Sequence, residues 1–214
     1  MTIPLVVVGC GGHGREMLIV ARALADQPGQ PCWRLLGFID DRPSEENLKR
    51  VQRLEVPFLG GLAWLQDAPA DTHHVIGIGD PQVRRAVGER IDHYGTPAAS
   101  LIHPAATIGP DTVHGPGFVA FAGARVTTNV TIGRHVHLNQ NTTVGHDCVL
   151  ADYVSVNPLA AVSGDCHLDE GVLIGTTAAV LQGLTVGRDS IVGAGACVVR
   201  DVPARAVVKG VPAR

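Results

Sequence analysis

Outward-facing polar residues concentrate in one stretch, HVHLNQNTTVGHDC at 135–148, and three of them, Asn139, His146 and Asp147, fall within nine residues. An imidazole flanked by a carboxylate is the pairing general-base chemistry needs. The carboxylate orients the ring and supports the imidazolium formed when it takes a proton. Eighteen residues beyond His146 stands Gly164, whose missing side chain would leave bare backbone where a substrate could lie. The same residues also suit an ordinary solvated turn, and spacing alone leaves both readings open. No acidic or histidine set repeats at ligand spacing around them, so no metal is expected.

A second cluster sits near the start. Gly9, Gly11 and Gly14 complete a G-x-G-x-x-G pattern just after the apolar run Leu5 to Val8, and GCGGHGREMLIVARALA reads as a Gly-rich turn opening a helix. Glycines there permit a tight turn and close backbone approach, and a helix N-terminus favours a phosphate. Asp40 closes a second strand, LLGFID, at the distance expected of a nucleotide fold. After an exposed, charged connection (DRPSEENLKRVQR) come a short strand and helix in VPFLGGLAWLQ, a strand at His74 to Ile78, and a helix opened by Pro81. Strands alternating with helices predict a small parallel sheet. This is about half of a full dinucleotide fold, with room for one nucleotide and little for a nicotinamide site.

The remainder is a repeat. Of the seventeen positions taken every sixth residue from Ile102 to Val198, fifteen are Ile, Leu or Val, with His114 and Ala120 the exceptions. Two places before these aliphatics lie small or β-branched residues such as Ala124, Val130, Cys148, Cys166 and Ala178, and Gly recurs just after them, where the chain must turn. This pattern predicts a triangular parallel β-helix of about five coils, three hexapeptides each, in which no coil buries its face alone. HGPGFVA at 114–120 predicts a distorted early coil without loss of register. Cys148 and Cys166 fall on the inward phase and read as buried thiols. The period does not give the hand of the coil.

Composition narrows the function classes. A net charge of −3 offers no basic field for nucleic acid, and 4% aromatic residues offer no base-stacking surface. No apolar run approaches a membrane span. The opening MTIPLVVVGCGG lacks the basic start of a signal peptide, and five cysteines do not suggest a disulfide framework, so a cytoplasmic protein is expected.

With these residues in view, nearly the whole chain resembles the nucleotide-sugar acetyltransferases, which include UDP-4-amino-sugar and perosamine N-acetyltransferases and sialic acid O-acetyltransferase-like proteins. The matching motifs are GCGGHGRE, FIDD, IGIGD, LIHPAATIG, the N-x6-HDC segment and the closing KGVPA. The resemblance implies an α/β half-Rossmann domain at 1–99 and a left-handed β-helix acetyltransferase domain with a tail at 100–214. Carried over residue by residue, it implies that His146 is the catalytic base and Asp147 its carboxylate. It implies a substrate-side role for Asn139, and a sugar-nucleotide site at Gly11, Gly12, His13, Asp40, Asp41 and Gly79. Acetyl-CoA would meet Ser155, Gly164, Thr176 and Ala194. The chain departs from its relatives where Ser155 replaces a common His and Gly145 an acidic residue. The resemblance also implies a homotrimer with sites between subunits, for which outward apolar residues around Val119, Val126 and Leu181 would supply the flat faces.

The expected reaction moves an acetyl group from acetyl-CoA to an amine on a nucleotide-linked sugar, with backbone N–H near Gly164 holding the oxyanion. A sialic-acid-type O-acetyltransferase is the near alternative. An NAD-dependent oxidoreductase or a non-catalytic sugar-nucleotide-binding protein would share the glycine loop or the fold.

Overall fold

The computed structural model describes residues 2–25, 27 and 32–214. Two compact units divide them. One holds the chain up to Gly79 together with Val83–His103, and the other holds Asp80–Gln82 and Pro104–Arg214.

The first unit runs β1 (Thr2–Val8), α1 (Gly12–Ala25), β2 (Cys32–Ile39), α2 (Glu45–Gln52), β3 (Phe58–Gly60), a 3-10 turn (Leu62–Asp67), β4 (His73–Ile76) and α3 (Pro81–Asp92). The strands form one parallel sheet in the order β3-β2-β1-β4. Leu5 to Val8 are buried on both faces of β1, as a central parallel strand requires. Val6, Val8, Ile39, Leu62, Leu65, Ile76 and Ile91 form one core. Each such side chain contributes about 1.5–3 kcal/mol through burial. With β2 on one side of β1 and β4 on the other, the chain reverses direction across the sheet at β1, which opens a crevice at the carboxyl ends of the strands.

The charged connection is in fact helical. In α2, Ser44 caps the start by accepting from Asn47 N at 3.2 Å, Glu45 and Glu46 occupy the first turn, and Lys49 and Arg50 the last. Only Val51 is buried. The helix is specified by its cap and its charge order against the dipole, and it has no apolar stripe for a periodicity to reveal.

The second unit is a parallel β-helix. Two-residue strands pair eighteen residues apart, as Thr131 with Val149 and Val144 with Val162, and stack into three parallel sheets of seven, six and five strands. From Ala124 to Val198 both predicted inward phases are buried, apart from the half-buried Leu184. The terminal coil differs: Ile102 and Ile108 are half-buried and His114 is exposed, because an end coil lacks a neighbour on one side. At the predicted break, register is kept, with Val113 paired to Thr131 and Val119 to His137. Phe118 and Ala120 are both fully buried there, the large side chain having moved to the small-residue place and the small one to the large.

The glycines have a different cause from the one expected. Every sixth residue from Asp111 to Gly195 has positive φ, and that is where the chain turns. The glycines directly after the aliphatics lie two places earlier and do not. A Cβ on Gly145 would stand 2.5 Å from Gly164 N, and one on Gly175 would stand 2.6 Å from Ala194 N. They are kept bare by the backbone of the next coil. The outward apolar residues also need correction: Val119 and Val126 are buried, whereas Leu181 is 45% exposed.

Candidate active site

Two places gather the predicted residues. The first is a cleft of about 850 Å³ at the carboxyl ends of β1, β2 and β4, lined by Gly11, Gly12, His13, Asp40, Asp41 and Gly79 among others. The glycines divide the work. Gly9 has φ +97°, and a Cβ on Gly14 would strike the Gly9 carbonyl, so the first makes the turn and the last lets α1 close on the strand. A Cβ on Gly11 would meet nothing within 4 Å, leaving the loop open for close approach of a ligand at the helix N-terminus. His13 Nδ1 lies 3.3 Å from Glu16 Oε2, and its ring faces Gly79.

The two aspartates are already committed within the fold. Asp40 Oδ2 accepts from Cys10 N at 3.0 Å and Cys10 Sγ at 3.3 Å, and Oδ1 accepts from Arg42 N at 2.9 Å. Burial first, and then this carboxylate, push the Cys10 thiol up to about 12. Asp41 accepts from Leu62 N at 2.8 Å and Arg90 at 2.7 Å. The Leu62 N–H chiefly, with Arg90 beside it, holds the Asp41 carboxyl below its ordinary range. Arg84, missed in the sequence, is fully buried and donates to the carbonyls of Ile78 (2.7 Å) and Gly79 (3.0 Å), fixing the third loop of the cleft.

The second place is a β-helix turn. His146 and Asp147 follow the strand Thr143–Val144, and their side chains are 63% and 48% exposed. Asp147 has φ +61°, a conformation Asp tolerates better than most residues. His146 Nδ1 lies 2.6 Å from Asp147 Oδ2, and Asn129 Nδ2 donates to Asp147 Oδ1 at 2.7 Å. The Asn129 hydrogen bond first, and that of His146 second, hold the Asp147 carboxyl below its ordinary range. An ionised carboxylate only accepts, so Nδ1 carries the hydrogen and a neutral ring presents its lone pair at Nε2.

Gly164 lies one coil on, but it is not open backbone. A Cβ there would meet His146 Nε2 at 2.5 Å and Cε1 at 2.6 Å, so the imidazole itself covers the glycine. Asn139 also departs from its outward reading. It is 5% exposed and donates to Val156 O at 3.0 Å and Asn157 Oδ1 at 3.3 Å, satisfied by the next coil. Ser155 is 1% exposed, paired in register with the fully buried His137. Thr176 and Ala194 are exposed, stacked eighteen residues apart on turns that follow Leu173–Ile174 and Ile191–Val192. That corner is a different one from the corner carrying His146. Cys148 and Cys166 are buried free thiols, and among the described residues no group of His, Cys, Asp or Glu is arranged to hold a metal ion. Among those residues, too, no helix is long and apolar enough to cross a membrane.

Residues 4–91 match the PglD N-terminal domain. Over its whole length the chain is similar to the acetyltransferase domain of PglB from Neisseria gonorrhoeae, solved with acetyl coenzyme A. That likeness is 32% identity over 100% of this chain and 99% of the other, with a TM-score of 0.87. PerB from Caulobacter crescentus, solved with CoA and GDP-perosamine, is 30% identical over 99% of this chain and 96% of its own, with a TM-score of 0.85. The chain belongs to the nucleotide-sugar acetyltransferase family. Its fold is therefore an α/β half-Rossmann unit followed by a left-handed parallel β-helix. A further relative in the family, the GDP-perosamine N-acetyltransferase of Escherichia coli O157:H7, is 31% identical over 151 residues. The match covers 70% of this chain, and the chain spans 65% of that relative's length.

Proposed function

We propose that this chain transfers the acetyl group of acetyl-CoA to an amine on a sugar linked to a nucleoside diphosphate. The observation that carries the reading is the 2.6 Å contact of His146 Nδ1 with Asp147 at an exposed β-helix turn, which leaves Nε2 as the basic atom. In the reaction the amine nitrogen attacks the thioester carbonyl, and Nε2 takes the proton the nitrogen sheds. Collapse of the tetrahedral intermediate breaks the C–S bond. The CoA thiolate leaves, to be protonated, and the sugar keeps an acetamide. Asp147 stays ionised and supports the imidazolium. The cleft at Gly11, Gly12, His13 and Gly79 would take the nucleotide, its diphosphate facing the N-terminus of α1.

A His on one corner of one chain cannot enclose two substrates. Leu181 and Val199, each 45% exposed, are stacked on the edge that carries His146 and supply an apolar strip for a second subunit. We infer a homotrimer whose sites lie between subunits, acetyl-CoA running along that edge and against Thr176 and Ala194 of the assembly. A substrate role for Asn139 or Ser155 would require contacts at the little surface each leaves exposed. The oxidoreductase alternative lacks support: the sheet has four strands among the described residues, one half of a dinucleotide fold.

The test is release of CoA thiol from acetyl-CoA over a panel of UDP-, GDP- and dTDP-linked amino sugars, each beside its hydroxyl counterpart. Release that depends on one amino sugar and yields its amide sustains the reading. Release with the hydroxyl sugar alone would assign an O-acetyltransferase, and binding of a nicotinamide dinucleotide without any release would contradict acyl transfer.

A further inference from the structure

The turn that carries Asp147 is the middle of a column. Asn129, Asp147 and Asp165 follow one another at eighteen-residue intervals, with φ of +54°, +61° and +58°, so they occupy the same corner of three successive coils. Each neighbour gives one hydrogen bond toward the His146–Asp147 pair. Asn129 Nδ2 donates to Asp147 Oδ1 at 2.7 Å, and Asp165 N donates to His146 O at 2.8 Å. We propose that Asn129 is a positioning residue, its amide clamping one carboxylate oxygen of Asp147 so that the other meets His146 Nδ1. The inference rests on His146 being the base of the proposed reaction.

The reason lies in exposure. A single hydrogen bond between two half-exposed side chains competes with water and is worth little on its own. Asp147 would then rotate between the ring and solvent, and the ring would lose its preferred tautomer for part of the time. With both oxygens held, at 2.7 Å and 2.6 Å, the carboxylate has one orientation. The orientation of the amide follows from chemistry, since an ionised carboxylate can only accept and must face the NH₂ of Asn129. An aspartate at 129 would fit the same left-handed turn but bring a like charge against Asp147. An amide satisfies the turn and the donor requirement together.

Asn129→Gly tests this cleanly, because glycine adopts positive φ without cost and removes only the side chain. The expected result is a fall in kcat of roughly tenfold, the scale of one hydrogen bond to a charged group. KM for both substrates and Tm should stay at wild-type values. Because the two residues act through one imidazole, adding Asn129→Gly to Asp147→Asn should lower kcat less than twofold further. Asn129→Asp, near-isosteric and equally suited to the turn, should lose at least as much as the glycine variant. Wild-type kcat in either single variant overturns the proposal, as does a loss that multiplies in full with that of Asp147→Asn. The parent reading is separated by His146→Ala: if that variant is inactive while Asn129→Gly is wild-type, only the positioning role fails.

Discussion

The imidazole of His146 rests on the bare α-carbon of Gly164, one coil further along the β-helix, so closely that a Cβ at 164 would stand 2.5 Å from Nε2. A glycine that looked like room for a substrate is room for the base. Gly164 does not have positive φ, so alanine costs nothing in backbone strain. The added methyl can be relieved by swinging the exposed ring outward. We expect Gly164→Ala to keep its Tm yet lose about 10- to 100-fold in kcat, the scale of an ångström-sized misplacement of a catalytic group. Steady-state kinetics beside a thermal melt check this, and unchanged kcat would mean the ring need not sit there.

For the cleft, Gly11 gives the sharper substitution. Its Cβ would point into open space, so the side chain of Gly11→Val is directed toward a bound ligand and not into a neighbouring backbone. The KM for the sugar nucleotide should rise at least about tenfold, on the scale of roughly 1.4 kcal/mol per factor of ten. The KM for acetyl-CoA should stay within error. A parallel rise in both would point to damage of the fold instead.

Cys10 should be chemically silent. Its thiol is fully buried and raised to about 12 by burial and by Asp40, so it remains protonated across the neutral range. Iodoacetamide at pH 8 should leave it unmodified in the native protein and label it after denaturation, which peptide mass mapping would read directly.

Asp41 links the cleft to acid stability. Its folded pKa is lowered, chiefly by the Leu62 N–H and further by Arg90. Its contribution is therefore present above the unfolded carboxylate pKa of about 3.9 and is lost as pH falls through the lower folded value. Asp41→Asn should remove that dependence and cost about 1 kcal/mol or less near neutrality, given how exposed the Arg90 pair is. Denaturant melts across pH 2 to 7 would show the two curves converging at the acid end.

The repeat was legible because burial follows it: positions 126, 132 and onward to 198 are all inside. What a period cannot say is which neighbour a residue meets. Gly145 was assigned to turning when it is bare for the sake of Gly164 N, and Asn139 was read as outward when Asn157 and Val156 in the next coil absorb its amide. Both partners lie about one coil, eighteen residues, away. Applying that interval backward from Asp147 would have reached Asn129, and no local motif marks it. The helix α2 escaped because one buried residue, Val51, leaves no periodic face. Arg84 gave no signal either, since a buried arginine whose partners are loop carbonyls looks like any surface cation in a helix.

The central claim is that His146 is the base, and its direct test is kcat of His146→Ala on the amino sugar that supports thiol release. The side chain is 63% exposed, so its removal should leave Tm and assembly essentially unchanged. As a general base it should contribute roughly 10²- to 10⁴-fold, felt in kcat more than in KM. Asp147, held ionised, contributes no limb to the pH profile of kcat/KM near neutrality. A limb that survives in the alanine variant belongs to the ammonium of the substrate. The account predicts a loss of at least about a hundredfold in kcat with both KM values near wild type. Near-wild-type kcat in His146→Ala would contradict it.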